Sequence, residues 1–435
     1  MVKHTENTFQ PDPDGPAFTP TGDPTDTGIF QVTVAEKDYG CRRIGLIPPD
    51  IDSPVAELDI RYPVNGQVFR TTVAGADAYG PGSWRLVPLD VEPGPSLYGP
   101  NHADPAVRPG WVAPAGEPPD QAVVSRLREG RVETEFTWME GCLLDALIPH
   151  GLFPEADNRR IAQNRLERWT TFGPGASIGG AKPSGVENTL PFAAIACLQP
   201  DHPSIDPVLA FWAERIAPDG CIRDGKRSAT ESAYTSAYPL ALIGRLRGRE
   251  DLLDRVEAHY RALTTRHWKT DTLWLRMTDD GTEGTFRNWA RGVCWFTNGL
   301  TRGIRQLRLA GREPDDLIAI GRNVLAWAIQ HQRSDSGLWG SYIDDPDTLP
   351  DTSGSAGIAT ACALAAQDDW FPEGRSAAER ALAGFAPHLT PDGWVDGATQ
   401  HNCGGDALQR GPYRVIHGYT LGLYLQLRAG LEKPA

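Results

Sequence analysis

Between residues 29 and 91 apolar and polar positions alternate with a period of two: Phe30, Val32 and Val34 form one set, and Leu58, Ile60 and Tyr62 repeat it. Such alternation predicts short, half-buried strands. Asn65-Gly66 stands between two of these runs, and a dipeptide that readily adopts positive φ predicts a hairpin there. Beyond about residue 120 the period lengthens. Within 251–265, Leu252, Val256, Tyr260 and Leu263 recur at steps of three and four, which places them on one side of a helix. The stretch 416–427 is apolar nearly all round, with Tyr419, Leu421, Leu423, Tyr424 and Leu425, as a helix enclosed by others requires. The pattern predicts helices over 136–149, 158–171, 187–198, 206–216, 230–246, 251–265, 291–311, 315–331, 353–366, 376–387 and 416–429, with a weaker one at 121–131.

Helices apolar on one side and helices apolar all round, in one domain, imply two layers. Eleven segments and the weak one approach the twelve of a toroid with six inner and six outer helices. The expected fold is therefore mainly α, an (α/α)6 barrel or six-hairpin toroid, with a β-rich, Pro-rich N-terminal extension. An α-solenoid is the competing layout, and no repeat consensus favours it. Five prolines between Pro11 and Pro24 mark residues 1–27 as a disordered tail. Residues 28–120 are expected to form the extension, ending in an irregular arm with eight prolines over 92–120, and 121–435 the barrel.

Composition narrows the function. The 435 residues are 40% hydrophobic and 23% charged, without an apolar run near the ~18 residues of a membrane helix. The 42 Lys and Arg against 56 Asp and Glu leave a charge of −14, a field that repels nucleic acid and anionic lipid. Neither nucleic acid nor membrane is an expected partner. The first twenty residues lack the layout of a secretory signal. The seven cysteines, Cys41, Cys142, Cys197, Cys221, Cys294, Cys362 and Cys403, are scattered and never spaced as C-x-x-C. Reduced thiols in a cytoplasmic protein follow, as a monomer or homodimer, without disulfides.

The loops before helices hold the unusual residues. Asn288-Trp289-Ala290-Arg291-Gly292-Val293-Cys294-Trp295 sets a guanidinium between two indoles, one suited to gripping a carboxylate and the others to stacking on sugar rings, or all three to packing on each other. Glu187, in Ser184-Gly185-Val186-Glu187-Asn188-Thr189, and Glu231, in Ser228-Ala229-Thr230-Glu231-Ser232-Ala233-Tyr234, each open a helix. One acid in a first turn complements the helix dipole. Two at one rim of a toroid would instead form the carboxylate pair that glycoside cleavage or alkene protonation needs. Asp351 or Thr352 can serve as a helix cap before Ser353 and Ser355. His401-Asn402-Cys403 lacks a second ligand pair, so no metal is expected. No cofactor is expected either. The H-E-x-x-H, G-x-x-x-x-G-K-[ST] and G-x-S-x-G motifs do not occur.

In order and spacing, Trp289-Ala290-Arg291-Gly292-x-x-Trp295, then Gly337-Leu338-Trp339 with Asp344-Asp345-Pro346-Asp347, then Asp351-Thr352-Ser353-Gly354-Ser355-Ala356, resemble the unsaturated uronyl hydrolases of glycoside hydrolase families 88 and 105. The resemblance spans about 135–429 and implies the same six-hairpin barrel. It also implies two acids, one at an Asp-Asn helix start and one before a Tyr and a Pro-containing apolar helix. The matching positions are Glu187-Asn188 and Glu231-Ser232-Ala233-Tyr234, followed by Pro239, with glutamates in place of the family's aspartates. Arg276 follows Leu273-Trp274-Leu275 where the family tends to have histidine.

By this resemblance the reaction removes a terminal uronic acid bearing a C4=C5 double bond, as polysaccharide lyases leave it. Glu231 would be the general acid and base and Glu187 its partner. Arg291 and Arg276 would hold the substrate carboxylate and Trp289 and Trp295 would wall the sugar, with Tyr234, Asn188, Trp339, Ser353 and Ser355 also binding substrate. The partner is then a uronic-acid-containing oligosaccharide. Three other readings stand beside it: an exo-glucuronidase on saturated uronosides, a sugar epimerase using histidines such as His331 and His417, and a sugar-binding module whose acids only cap helices.

Overall fold

The computed structural model describes residues 8–432 apart from 25–26, 80–81, 92, 149–150, 152 and 279. The chain divides into two compact units, Met1–Glu135 with His388–Gly418, and Phe136–Pro387 with Tyr419–Ala435. The first is β-rich. Its strands are β1 (Thr8–Phe9), β2 (Ile29–Thr33), β3 (Cys41–Ile47), β4 (Ala56–Arg61), β5 (Val68–Thr72), β6 (Arg85–Pro88), β7 (Leu97–Tyr98) and β8 (Gly110–Trp111), before the helix α1 (Pro119–Arg128). They form antiparallel sheets in the orders β5-β2-β8, β4-β3-β6 and β1-β7.

The alternation read from sequence is the inward face. Phe30, Val32 and Val34 meet Ile44, Leu46, Leu58, Ile60, Trp84 and Trp111 in one apolar core. The hairpin expected at Asn65-Gly66 does not form. β4 pairs with β3, and β5 pairs with β2 in the other sheet. Gly66 donates its N–H to Val34, and Val34 donates its own to Gln67, so the turn extends the β2–β5 ladder instead of folding β4 onto β5. The positive φ that makes Asn-Gly a hairpin signal serves here to turn the corner between sheets. Of residues 1–27, Thr8–Phe9 pairs with β7 and Phe18 packs in the core, exchanging backbone hydrogen bonds with Trp84. The remaining residues of that stretch include 1–7 and 25–26, outside the described residues.

The second unit is mainly helical. It comprises α2 (Trp138–Asp145), α3 (Glu155–Leu166), α4 (Pro191–Leu198), α5 (Ile205–Ala213), β9 (Arg227–Ala229), α6 (Tyr238–Leu246), α7 (Glu250–His267), β10 (Trp268–Lys269), β11 (Thr272–Thr278), β12 (Gly284–Arg287), α8 (Ala290–Leu309), α9 (Asp315–Gln330), α10 (Thr352–Gln367) and α11 (Gly374–Gly384). Within His388–Gly418, the stretch that joins the β-rich unit, lies the short α12 (Gly405–Arg410), and α13 (Gly418–Leu431) follows.

Neighbours in this unit skip one helix. α2 packs on α4, α4 on α6, α6 on α8 and α8 on α10. Gly422 of α13 approaches the Cys142 backbone of α2 so closely that a Cβ would stand 2.6 Å from its carbonyl oxygen, and Gly430 of the same helix faces Ala363 of α10. The enclosed helices are α10, made almost wholly of small and apolar residues, and α8, which is buried along nearly its whole length although it carries Arg291, Asn298, Arg302, Arg305 and Gln306. α7 shows the one-sided pattern instead, burying Leu252, Val256, Tyr260 and Leu263. Asp351 caps α10 by accepting the N–H groups of Ser353 and Gly354, and Thr137 caps α2 through Met139. Inside this layer Arg165 grips Glu140 with two bonds of 2.7 and 2.6 Å. Among the described residues no helix is long and apolar enough to cross a membrane.

Candidate active site

The N-terminal ends of the enclosed helices carry the polar chemistry. Trp138 begins α2, Glu187 and Asn188 lie just before α4, Glu231 precedes α6, Arg291 sits in the first turn of α8, Ser353 in that of α10, and Tyr419 in that of α13. Helix starts are where backbone N–H groups lack intrahelical partners, so each favours an acidic or hydroxyl side chain.

Glu231 stands at the head of an unusual turn. Residues Ala233–Ala237 form a π-helical turn running into α6. Pro239 has no N–H to donate to the Thr235 carbonyl four residues back. That oxygen receives the Thr189 hydroxyl instead, at 2.6 Å. The bond joins the segment after Glu187 to the segment after Glu231, so the two acids are fixed by one shared element. Thr189→Val is expected to lower stability by about 1–3 kcal/mol, measured as a shift in urea midpoint, because the valine leaves a buried carbonyl unpaired.

Two neutral histidines brace the other side. Burial pushes His259 down to about 3 and His267 down to about 4. The Ile222 N–H donates to His259 Nδ1, so Nε2 carries the proton and donates to Ser232 Oγ, next to Glu231. His267 donates Nδ1–H to the Trp274 carbonyl and accepts from Ser228 Oγ. They thereby fix the β9–β11 pairing in which Arg276 lies opposite Ala229. From that position Arg276 Nη2 comes to 3.6 Å from Glu231 Oε1.

The Glu231 side chain is 15% exposed. Burial pushes its carboxyl up to about 7; Arg276 and Arg291 pull against this, and the Glu187 and Asp224 carboxylates add to it. Glu187 is thus near enough for its charge to bear on Glu231. Arg291 is only 3% exposed. Its guanidinium lies over the Trp289 ring at 4.4 Å and donates to the Tyr419 hydroxyl.

The remaining sequence candidates fall into two groups. Half-buried Asn188 donates to the Phe136 carbonyl, beside Glu187. Tyr234 is buried, donates its hydroxyl to Asp145 and stacks on Trp295 at 5.9 Å with an 11° tilt. Trp295 in turn meets Trp138 edge-on at 5.1 Å. Ser353 Oγ donates to Asp351 and lies close enough to Tyr419 to affect its hydroxyl. Trp339 and Ser355 point into the helix layer: the Trp339 indole donates to Ala328, and its backbone N–H donates to Ser355 Oγ. Trp289 is buried with one face taken by Arg291, the packing arrangement also foreseen for that motif.

Trp138 and Tyr419 join this group without having been singled out in the sequence. Trp138 is half-buried, and its ring centroid is 4.5 Å from that of Tyr419. The Thr137 cap immediately before Trp138 was the available signal. Tyr419 is hidden in a segment whose apolar character announces only burial. Among the described residues no group of three or more His, Cys, Asp or Glu is placed to hold a metal ion. His401 Nδ1 lies 3.0 Å from Cys403 Sγ in the β-rich unit.

Residues 234–433 match the family model of Glycosyl Hydrolase Family 88. A comparison with curated proteins found no match. Among solved structures, a possible member of the GH105 family from Salmonella enterica serovar Paratyphi A is 19% identical with a TM-score of 0.60, over 72% of this chain and 92% of that one. A possible member of the same family from Klebsiella pneumoniae is 18% identical with a TM-score of 0.61, over 71% and 92%. The unsaturated glucuronyl hydrolase from Bacillus sp. GL1, described as responsible for the degradation of glycosaminoglycan, is 16% identical with a TM-score of 0.50, over 69% and 86%. At such identities the likeness to these structures is one of fold. The protein is a glycoside hydrolase. The family model and these structural neighbours fall in families 88 and 105, the same families that the motifs resemble.

Proposed function

We propose that the protein removes a terminal uronic acid from oligosaccharides, foremost the 4,5-unsaturated glucuronyl or galacturonyl residue that a polysaccharide lyase leaves. The observation that carries this reading is Glu231, a carboxyl held at about 7 beside a guanidinium at 3.6 Å and under the influence of a second carboxylate. Such an acid keeps its proton near neutrality and can release it. Protonation of the enol ether at C4 leaves positive charge at C5, water adds there, and the hemiketal opens to free the next sugar. In this reading Arg276 holds the uronate carboxylate, supported by its 28% exposure and its 3.6 Å approach to Glu231. Arg291 contributes its charge from beneath, and Trp138 offers the half-buried aromatic surface. The six-hairpin (α/α)6 arrangement belongs to the same proposal, supported by the every-second-helix packing of α2 to α10. So does a cytoplasmic monomer or homodimer.

Lyase-generated unsaturated disaccharides offered beside saturated glucuronides test the reading, with alkene absorbance and reducing sugar followed together. Loss of the alkene with release of sugar is expected. Release from saturated glucuronides alone would overturn the alkene chemistry in favour of an exo-glucuronidase.

The pH profile gives a second test. Because Glu231 must carry its proton, kcat/KM is expected to fall as pH rises through about 7. Glu187→Gln removes a charge that pushes the Glu231 pKa up, so the alkaline midpoint moves to lower pH. Arg276→Gln removes one that pulls it down, so the midpoint moves to higher pH. Midpoints unmoved in both variants would exclude Glu231 as the titrating acid.

A further inference from the structure

The sheet that delivers Arg276 carries more charge than one carboxylate needs. Along β11, Leu273, Leu275 and Met277 are buried, while Thr272, Arg276 and Thr278 keep contact with solvent. Arg276 lies opposite Ala229 of β9, and Thr278 lies opposite Arg227. Residues paired across a sheet project to the same face. Arg227 and Arg276 are therefore diagonal neighbours on the outer face, with about 7–8 Å between their positions. On the other side Arg287 of β12 pairs with Trp274 and extends the same diagonal.

The two arms differ in charge balance. Arg287 lies 3.5 Å from Asp344. Arg227 is exposed and, among the described residues, has no ion-pair partner; exposed Lys226 is beside it. Against the carboxylate of Asp224, whose backbone exchanges hydrogen bonds with that of Arg227, the pair Lys226 and Arg227 leaves positive charge in excess on this side of Glu231. At this spacing the long Arg227 side chain can reach an acid group beside the one that Arg276 holds.

We propose that Arg227 is a specificity residue that binds an acid group, carboxylate or sulfate, on the sugar next to the one removed, while Arg276 holds the terminal uronate. This rests on the function proposed above and adds the substrate class: oligosaccharides charged on successive units.

The test compares wild type, Arg227→Gln and Arg287→Gln on three unsaturated disaccharides whose second sugar is unsubstituted, sulfated or carboxylated. Arg227→Gln lowers kcat/KM for the charged disaccharides about tenfold and for the unsubstituted one no more than about twofold. Arg287→Gln changes the three alike. The more affected of the two charged disaccharides tells which acid is bound. An identical charged-to-neutral ratio in wild type and Arg227→Gln would overturn the proposal. Should wild type turn over none of the three, the function reading falls, and calorimetric titration of the sulfated and carboxylated disaccharides decides the grip by itself. A Kd weakened about tenfold by Arg227→Gln for either one supports it, and Kd values equal to those of wild type for both reject it.

Discussion

Glu231→Gln is expected to lower turnover of a terminal uronide by about 10²–10⁴-fold while leaving substrate binding measurable. The amide has nearly the same shape and can still accept from Arg276, so the sugar keeps its neighbours. It has no proton to give. The wild-type carboxyl stands 3.6 Å from Arg276 with 15% of its side chain exposed, so a substrate can reach it. Thermal unfolding should move little, and upward if at all, since the wild-type carboxylate is penalised by burial whenever it is charged. Unchanged turnover in this variant would remove Glu231 as the proton donor, whereas binding without turnover in the wild type itself would identify a sugar-binding protein whose acids cap helices.

The largest effect on stability is expected at Glu140. Its carboxylate is fully buried and meets the Arg165 guanidinium through two short bonds. Glu140→Ala takes from the buried Arg165 guanidinium the carboxylate it grips and should cost about 3–5 kcal/mol, read as a fall in the denaturant midpoint at unchanged slope. Glu140→Leu with Arg165→Met removes both charges and should recover most of the loss. Failure of the double variant to recover would mean that the pair holds α2 and α3 in register by geometry that apolar side chains cannot copy.

The helical part was legible where one period ran uninterrupted. The segments read at 251–265, 315–331 and 353–366 correspond to α7, α9 and α10 within two residues at each end. The pattern reads 230–246 as one helix although Pro239 falls inside it, and only the coordinates show the π turn at Ala233–Ala237 that puts Pro239 in the first turn of α6. Glu187 and Glu231 could be picked out as acids at helix starts. Their mutual influence could not, because it depends on Thr189 reaching across to Thr235. Arg276 came from a resemblance. Its geometry comes from the pairing of β11 with β9, a three-residue strand with no alternation to reveal it. The Gly, Pro and polar residues of 388–418 carry no period of either kind, so the sequence offers no sign that this stretch joins the β-rich unit.

That stretch makes the β-rich unit discontinuous in sequence, and the ribosome supplies its pieces at very different moments. Asp392 is the ion partner of Arg70 and Arg126, Gln400 bonds Gln67 and the Arg61 carbonyl, and the Tyr413 hydroxyl donates to the Asp59 carbonyl. Strands β2 to β8 are translated first, yet they wait through more than half of the nascent chain for these closing contacts. Loops of that length are entropically slow to close. A chain released early, before residue 418, would thus lose the completion of its oldest part, and chaperones or proteases would meet the unsealed strands near its beginning.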